Sequence, residues 1–420
     1  MRNLRILLLP AFVALITFFV SCSTDPADLT VNGSDNQATV KSTQLTKQAN
    51  ALSAHQAERL EKYQYFKNKL NSGEDISDEL ALYIINDPLP EKVNEQNALI
   101  IKNVILRAID ADKYACATST PLNDYLDAST ADWGLGEILA YYYLSYHPQF
   151  DAIYLEDPSV RNELGDNGEY TPELYRTLKS MQRFWDIDGS SIGLVPYTGK
   201  VYKDIEKIAL IESYYYPDNT AEENLSSAET LNFIFGYETF WNFKHPLLSF
   251  NAFAISYDGE EYGYYVGNRI AMGDGIMMAF EAIGLGETAP IAILAHEYAH
   301  QVQTAKGYFD IDAPEDEAEA TRRTELMADA FASYFLTHKR GAAMNWWRVS
   351  QFLDVFYQIG DCNVTESGHH GTHFQRMAAA KWGYNLAQKA KKNGHILPTE
   401  TVYALFQASL DDIINCSNCF

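Results

Sequence analysis

Thr288-Ala-Pro-Ile-Ala-Ile-Leu-Ala-His-Glu-Tyr-Ala-His-Gln-Val-Gln-Thr-Ala-Lys-Gly307 is the stretch from which the rest of the chain can be read. Its local signals are those of a helix. Thr288 is placed to cap it, Pro290 falls in the first turn where a missing N–H costs little, and Gly307 is a natural stop. Ile291, Leu294, Tyr298, Val302 and Ala305 form an apolar stripe at helical spacing. The run before His296 is nearly all apolar, so the helix is expected to be buried on several sides. On such a helix His296 and His300 stand one turn apart on one face, and two imidazoles there can converge on one ion. Glu297 lies beside them, where it can reach a water on that ion and take its proton. The alternative is two ordinary histidines and a glutamate on a solvated face. The metal reading therefore needs a third ligand.

Arg323-Thr-Glu-Leu-Met-Ala-Asp329 supplies one. Acidic residues gather at the start of this second helical stretch, from Glu315 to Glu319. His338, Lys339 and Arg340 gather at its end, before Gly341. That charge order suits a helix dipole. Glu325 can ligate zinc. Asp329, one turn on, can accept a hydrogen bond from a liganding histidine and fix its tautomer. Leu326, Ala328, Ala330, Phe331, Ala332, Tyr334 and Phe335 surround the two carboxylates. A solvated acidic face would not look like this, and unpaired carboxylates in an apolar setting are costly. The expectation is one zinc ion (Zn2+) per chain on His296, His300 and Glu325, with Glu297 as general base and Asp329 behind a liganding imidazole.

With 420 residues, 47% hydrophobic, and 28 Tyr, 21 Phe and 6 Trp, the chain is too apolar for a disordered protein and can bury a large core. Its formal net charge of -24 argues against a nucleic-acid partner, which would call for a basic surface.

Arg2 and Arg5 precede an apolar run from Ile6 to Val20, too short to span a bilayer comfortably. The run ends in Phe19-Val-Ser-Cys-Ser23. This is similar to the cleavage box of bacterial lipoproteins, in which the cysteine is lipidated and becomes the new N-terminus. Phe19 stands where that box usually has Leu, and ordinary secretory cleavage or an uncleaved anchor are the alternatives. The expectation is a signal peptide over residues 1–22, lipidation at Cys22, and a bacterial cell-envelope location on the periplasmic side or the cell surface. Cys116, Cys362, Cys416 and Cys419 are read as tail disulfides or buried thiols, since no second CxxC or nearby histidine completes a tetrahedral set.

Residues 23–45 are rich in Ser, Thr, Asp, Asn and Gln and read as a flexible tether, and residues 46–170 as a helical N-terminal region. Gly165-Asp-Asn-Gly168 and Thr171-Pro172 mark a soft boundary, with a helix expected from there to about Trp185. Ile192–Tyr197, Val201-Tyr202, Leu248–Ile255 and Tyr264–Met272 read as strands, and Gly273-Asp-Gly275 as a turn. The strand around Asn251–Ile255, or the one ending at Met272, is a candidate edge strand. From Ile276 onwards the pattern is helical. The fold class is therefore α+β: a small mixed sheet, a helix carrying the site, and helices elsewhere.

Three blocks carry a family resemblance. Ala295-His-Glu-Tyr-Ala-His-Gln-Val-Gln303 resembles the active helix of gluzincin-type metallopeptidases. Arg323–Asp329 is similar to the second motif of the bacterial neutral zinc metallopeptidases. Ile359-Gly-Asp361 and then His370-Gly-Thr-His-Phe-Gln-Arg376 resemble that family's C-terminal region. The resemblance covers roughly residues 250–385. It departs at Ala299 and Gln301, where that family tends to have Gly and His, and the N-terminal half has no counterpart in it. The resemblance implies a zincin-like metallopeptidase domain over residues 171–420, a peptide or protein substrate, zinc on His296, His300 and Glu325, and Glu297 as base.

His369, His370 and His373 cluster after it. His370, in the matched block, is the first candidate for an oxyanion-stabilising catalytic residue, and His373 an alternative zinc ligand to Glu325. A structural histidine near a helix start is the competing reading. Tyr298 points off the ligand face and is expected in the core. Asp310–Glu319 reads as a solvated helix N-terminus rather than a calcium loop, and Asp186-Ile-Asp-Gly-Ser is too short for one. The expected activity is that of a lipid-tethered zinc endopeptidase. The alternatives are a non-catalytic surface lipoprotein binding peptide, glycan or a partner protein, and a zinc hydrolase acting on cell-wall amides.

Overall fold

The computed structural model describes residues 120–257, 259–261, 263–308, 317–358, 371–390 and 394–415. The signal segment with Cys22, the tether, the other four cysteines, His369, His370 and most of the acidic stretch from Asp310 lie outside these residues.

Helices α1 (Pro121–Ser129), α2 (Leu135–Leu144) and α3 (His147–Phe150) come first, α3 running into a π-helical turn, Asp151–Leu155. After α4 (Thr171–Phe184) the chain forms β1 (Gly193–Tyr197), α5 (Ile205–Tyr215) and α6 (Ala221–Phe235). Next come β2 (Ala252–Ile255), a hairpin of β3 (Gly259–Glu261) and β4 (Tyr264–Val266), and β5 (Arg269–Gly273). The remainder is helical: α7 (Asp274–Ala282), α8 (Ala289–Lys306), α9 (Glu317–Thr337), α10 (Trp346–Gln358), α11 (His373–Ala390), α12 (Thr399–Gln407) and α13 (Leu410–Ile414). This is an α+β arrangement. Among the described residues no helix is long and apolar enough to cross a membrane.

Local chemistry accounts for many of these ends. Thr120 accepts a hydrogen bond from Asn123 N at the start of α1, with Pro121 next. Thr220 and Glu223 form a capping box on α6. On α4, Leu174, Leu178 and Met181 repeat at helical spacing and are buried.

The main sheet has three strands in the order β1-β5-β2, with β1 parallel and β2 antiparallel to β5. Every residue of β5 is buried because both faces are covered. Val195, Ala271 and Phe253 stand side by side in register and pack on Ala152 of the π-helical turn. Leu194, Ile270, Met272 and Ala252 point the other way, into the main core with α8. That core is continuous from Leu122 to Ile413 and holds residues from both sides of position 170. Arg269 is fully buried: its guanidinium donates to the carbonyls of Ala152 and Glu156, at the end of the π-helical turn.

Several local expectations are corrected. The strand ending at Met272 is central, so of the two candidate edge strands only Ala252–Ile255 lies at an edge of this sheet, opposite β1. The Tyr264–Met272 run is two strands separated by Gly267-Asn268. Val201-Tyr202 lies in a 3-10 turn, Gly199–Lys203, opened by Thr198, whose hydroxyl accepts from Lys200 N. Gly273-Asp-Gly275 is no turn: the end of β5 passes directly into α7.

Candidate metal centre

The site is built on α8. Pro290 in its first turn and Gly307 at its end behave as the sequence predicts; Gly307 takes a left-handed φ of 67° and its N–H returns to the Thr304 carbonyl. Thr288 precedes the helix but does not cap it. Its hydroxyl instead donates to Gln351 Oε1 on α10 at 2.8 Å. Residues 289–303 are all buried, whereas Ala305 is exposed and leaves the apolar stripe. Tyr298 is in the core, as expected.

His296, His300 and Glu325 meet inside the protein. His296 Nε2 is 3.0 Å from His300 Nε2 and 3.1 Å from Glu325 Oε2, and His300 Nε2 is 3.3 Å from Glu325 Oε1. None of the three is more than 4% exposed. Two imidazoles and a carboxylate at this separation could hold a metal ion. Both rings are turned by partners behind them. His296 donates from Nδ1 to Asp329 Oδ1 at 2.8 Å, and His300 donates from Nδ1 to Gln303 Oε1 at 2.7 Å. The Gln303 amide is oriented in turn by its donation to the Thr324 carbonyl, 2.8 Å away. With Nδ1 acting as donor in each ring, Nε2 is the nitrogen turned toward Glu325, the atom a metal would take once any proton on it is displaced.

The electrostatics follow from burial and neighbours. Burial favours a neutral His296, but its hydrogen bonds and charge interactions with Asp329 and Glu325 outweigh this and push it up to about 10. Glu297 is also buried. Burial raises its carboxyl to about 6, although His296 and His300 pull in the opposite direction. Its Oε2 accepts no hydrogen bond among the described residues. A buried carboxylate oxygen with an open acceptor site, next to a candidate metal-ligand pair, can take a proton from a water or another proton donor.

Of the clustered histidines His369, His370 and His373, only His373 is described. It is not part of the three-ligand group, which corrects its reading as an alternative ligand to Glu325. It donates from Nδ1 to the Tyr357 carbonyl at 2.6 Å, near the start of α11. His370 lies outside the described residues.

The sequence reading gave three buried groups no role. Arg376 on α11 donates from Nε to Asp329 Oδ2 at 2.8 Å and from Nη2 to Asp329 Oδ1 at 2.7 Å. Gln303 holds His300. Gln301, the residue after His300, donates to the carbonyls of Ile255 and Arg269, at 2.9 and 3.0 Å, and accepts from Ser256 Oγ at 2.7 Å. It thereby ties the site helix to the paired ends of β2 and β5. An arginine or glutamine in an otherwise apolar helical stretch was the available signal. No protein-family model matches the chain, and comparison with curated proteins and with solved structures returns no match.

Proposed function

We propose that this protein is a zinc-dependent endopeptidase. One observation carries the reading: two imidazoles, each presenting Nε2, and one carboxylate converge, buried, with these atoms 3.0 to 3.3 Å apart. Donors about 3.3–3.4 Å apart are what a tetrahedral zinc with bonds of about 2.0–2.1 Å requires, and two histidines with one glutamate leave a fourth position open. The ion would act there as a Lewis acid, making hydroxide available near neutral pH and polarising a carbonyl.

The residues of the chain do the rest. His296 and His300 are held as lone-pair donors by Asp329 and Gln303. Glu297 accepts the proton of the attacking water at its unpaired oxygen and returns it to the departing amine, which leaves as a neutral group. Burial excludes bulk water and strengthens each of these interactions. The likeness of Ala295–Gln303, Arg323–Asp329 and the block ending at Arg376 to neutral zinc metallopeptidases supports a peptide substrate. The sequence around Cys22 supports an envelope lipoprotein.

The test is direct. Residues 23–420 are purified, bound metal is measured, and casein cleavage is followed with and without chelator. One zinc per chain and chelator-sensitive cleavage are expected, with Glu297→Gln keeping the zinc and losing turnover. Wild-type protein that holds no stoichiometric zinc overturns the proposal.

A further inference from the structure

Arg376 is 3% exposed and carries a full charge, so its place in the core needs a reason. Its fork spans both oxygens of Asp329, a geometry that a lysine cannot reproduce. The same Asp329 Oδ1 accepts the proton of His296 Nδ1. Arg376 Nη2 also lies 3.8 Å from Glu325 Oε2. The guanidinium thus stands behind two of the three proposed ligands without being one.

Two consequences follow. With both oxygens engaged, Asp329 cannot swing round and compete with Glu325 for a cation. The positive charge also offsets Asp329, which it contacts directly, and reaches Glu325 at 3.8 Å. The packing that delivers Arg376 is specific. Gly383 lies so close to α9 that a Cβ there would sit 2.1 Å from the Ala330 carbonyl oxygen, and Ser333 Oγ donates to the Ala380 carbonyl at 2.5 Å.

We propose that Arg376 is a positioning residue of the metal centre: it locks Asp329 as the hydrogen-bond partner of His296 and keeps it from becoming a ligand. This rests on the metal-site reading above. The experiment measures zinc affinity of the full folded chain by competition with a chromophoric chelator. Arg376→Met should weaken zinc binding by roughly 10- to 100-fold with stoichiometry still one, and Arg376→Lys should fall between it and wild type. Because Arg376 acts through Asp329, the Asp329→Asn/Arg376→Met double variant should bind zinc within about threefold of Asp329→Asn alone. A folded Arg376→Met protein within about twofold of wild type overturns the assignment, as does a double variant showing the full product of the two single losses. If circular dichroism finds Arg376→Met unfolded, Arg376→Lys decides by the same twofold criterion. Wild type without zinc affinity would remove the metal centre itself, whereas wild type and Arg376→Met binding alike removes only the role of Arg376.

Discussion

Glu297 is distinguished from the other carboxylates of the centre by what it lacks. Asp329 is held by two donors, Glu325 faces two imidazoles, and Glu297 keeps one buried oxygen open. That is the arrangement of a proton acceptor rather than a ligand. Glu297→Gln should reduce turnover by roughly 10²- to 10⁴-fold while leaving bound zinc unchanged, as read by peptide cleavage and metal analysis. The base works only when ionised, and burial pushes it up to about 6. Activity should therefore fall as pH drops through about 6 or lower, since a cation alongside favours the carboxylate. An acid limb centred well above that value would contradict the assignment. His296, Glu297 and His300 were legible in the sequence as one group because their spacing along one helix is itself the geometry, and Glu325 because it is a carboxylate in an apolar stretch of the next helix. Gln303 is three residues beyond His300 and carried no such signature, because an amide has many reasons to lie on a helix. Arg376 meets Asp329 across a separation of 47 residues, which no local pattern encodes.

Helices proved easier to read than strands, for a physical reason. The periodicity of α4 and α8 extends over several turns, so one misplaced residue such as Ala305 does not spoil it. The strands here are three to five residues long, and β5 is buried on both faces, which erases the alternation that would mark it. Val201 and Tyr202 have strand-forming side chains, yet a capping threonine draws them into a 3-10 turn. Gly273 reads as a turn residue but ends β5 and opens α7. The contact between α9 and α11 depends on the absence of a side chain at Gly383, and the sequence offered no means of pairing that glycine with Ala330. Gly383→Ala should push the helices apart, destabilising the fold by about 1–3 kcal/mol in denaturant titration and weakening zinc affinity by withdrawing Arg376 from Asp329. Unchanged stability and affinity would show that the two helices do not need this close approach.

Across the molecule, an ion that binds only the folded chain adds to its stability, by about 2.7 kcal/mol at a free concentration one hundred times its dissociation constant. Chelation should therefore lower the melting temperature, as read by calorimetry. The pH dependence has a definite sign. In the metal-free protein His296 is raised from 6.5 to about 10, so its protonated form stabilises the fold fully below 6.5. That contribution is lost as pH rises through about 10. Zinc has to displace the same proton, so its affinity should weaken about tenfold for each pH unit of acidification below that value. Equal affinity at pH 6 and pH 8 would speak against this coupling. At the chain's N-terminus, Cys22→Ala should abolish incorporation of labelled palmitate in a bacterial host; labelling that persists would place any acyl group elsewhere.

The bridge made by Gln301 has a mechanical corollary. On the peptidase reading, a centre this deeply buried has to open a chamber before an extended polypeptide can approach it. The amide of Gln301 fastens the floor of that chamber to two strands at once, so tilting α8 against the sheet would tear two bonds together. The two imidazoles should therefore move as one piece with the joined ends of the strands, because the helix that carries them cannot shift without breaking both bonds.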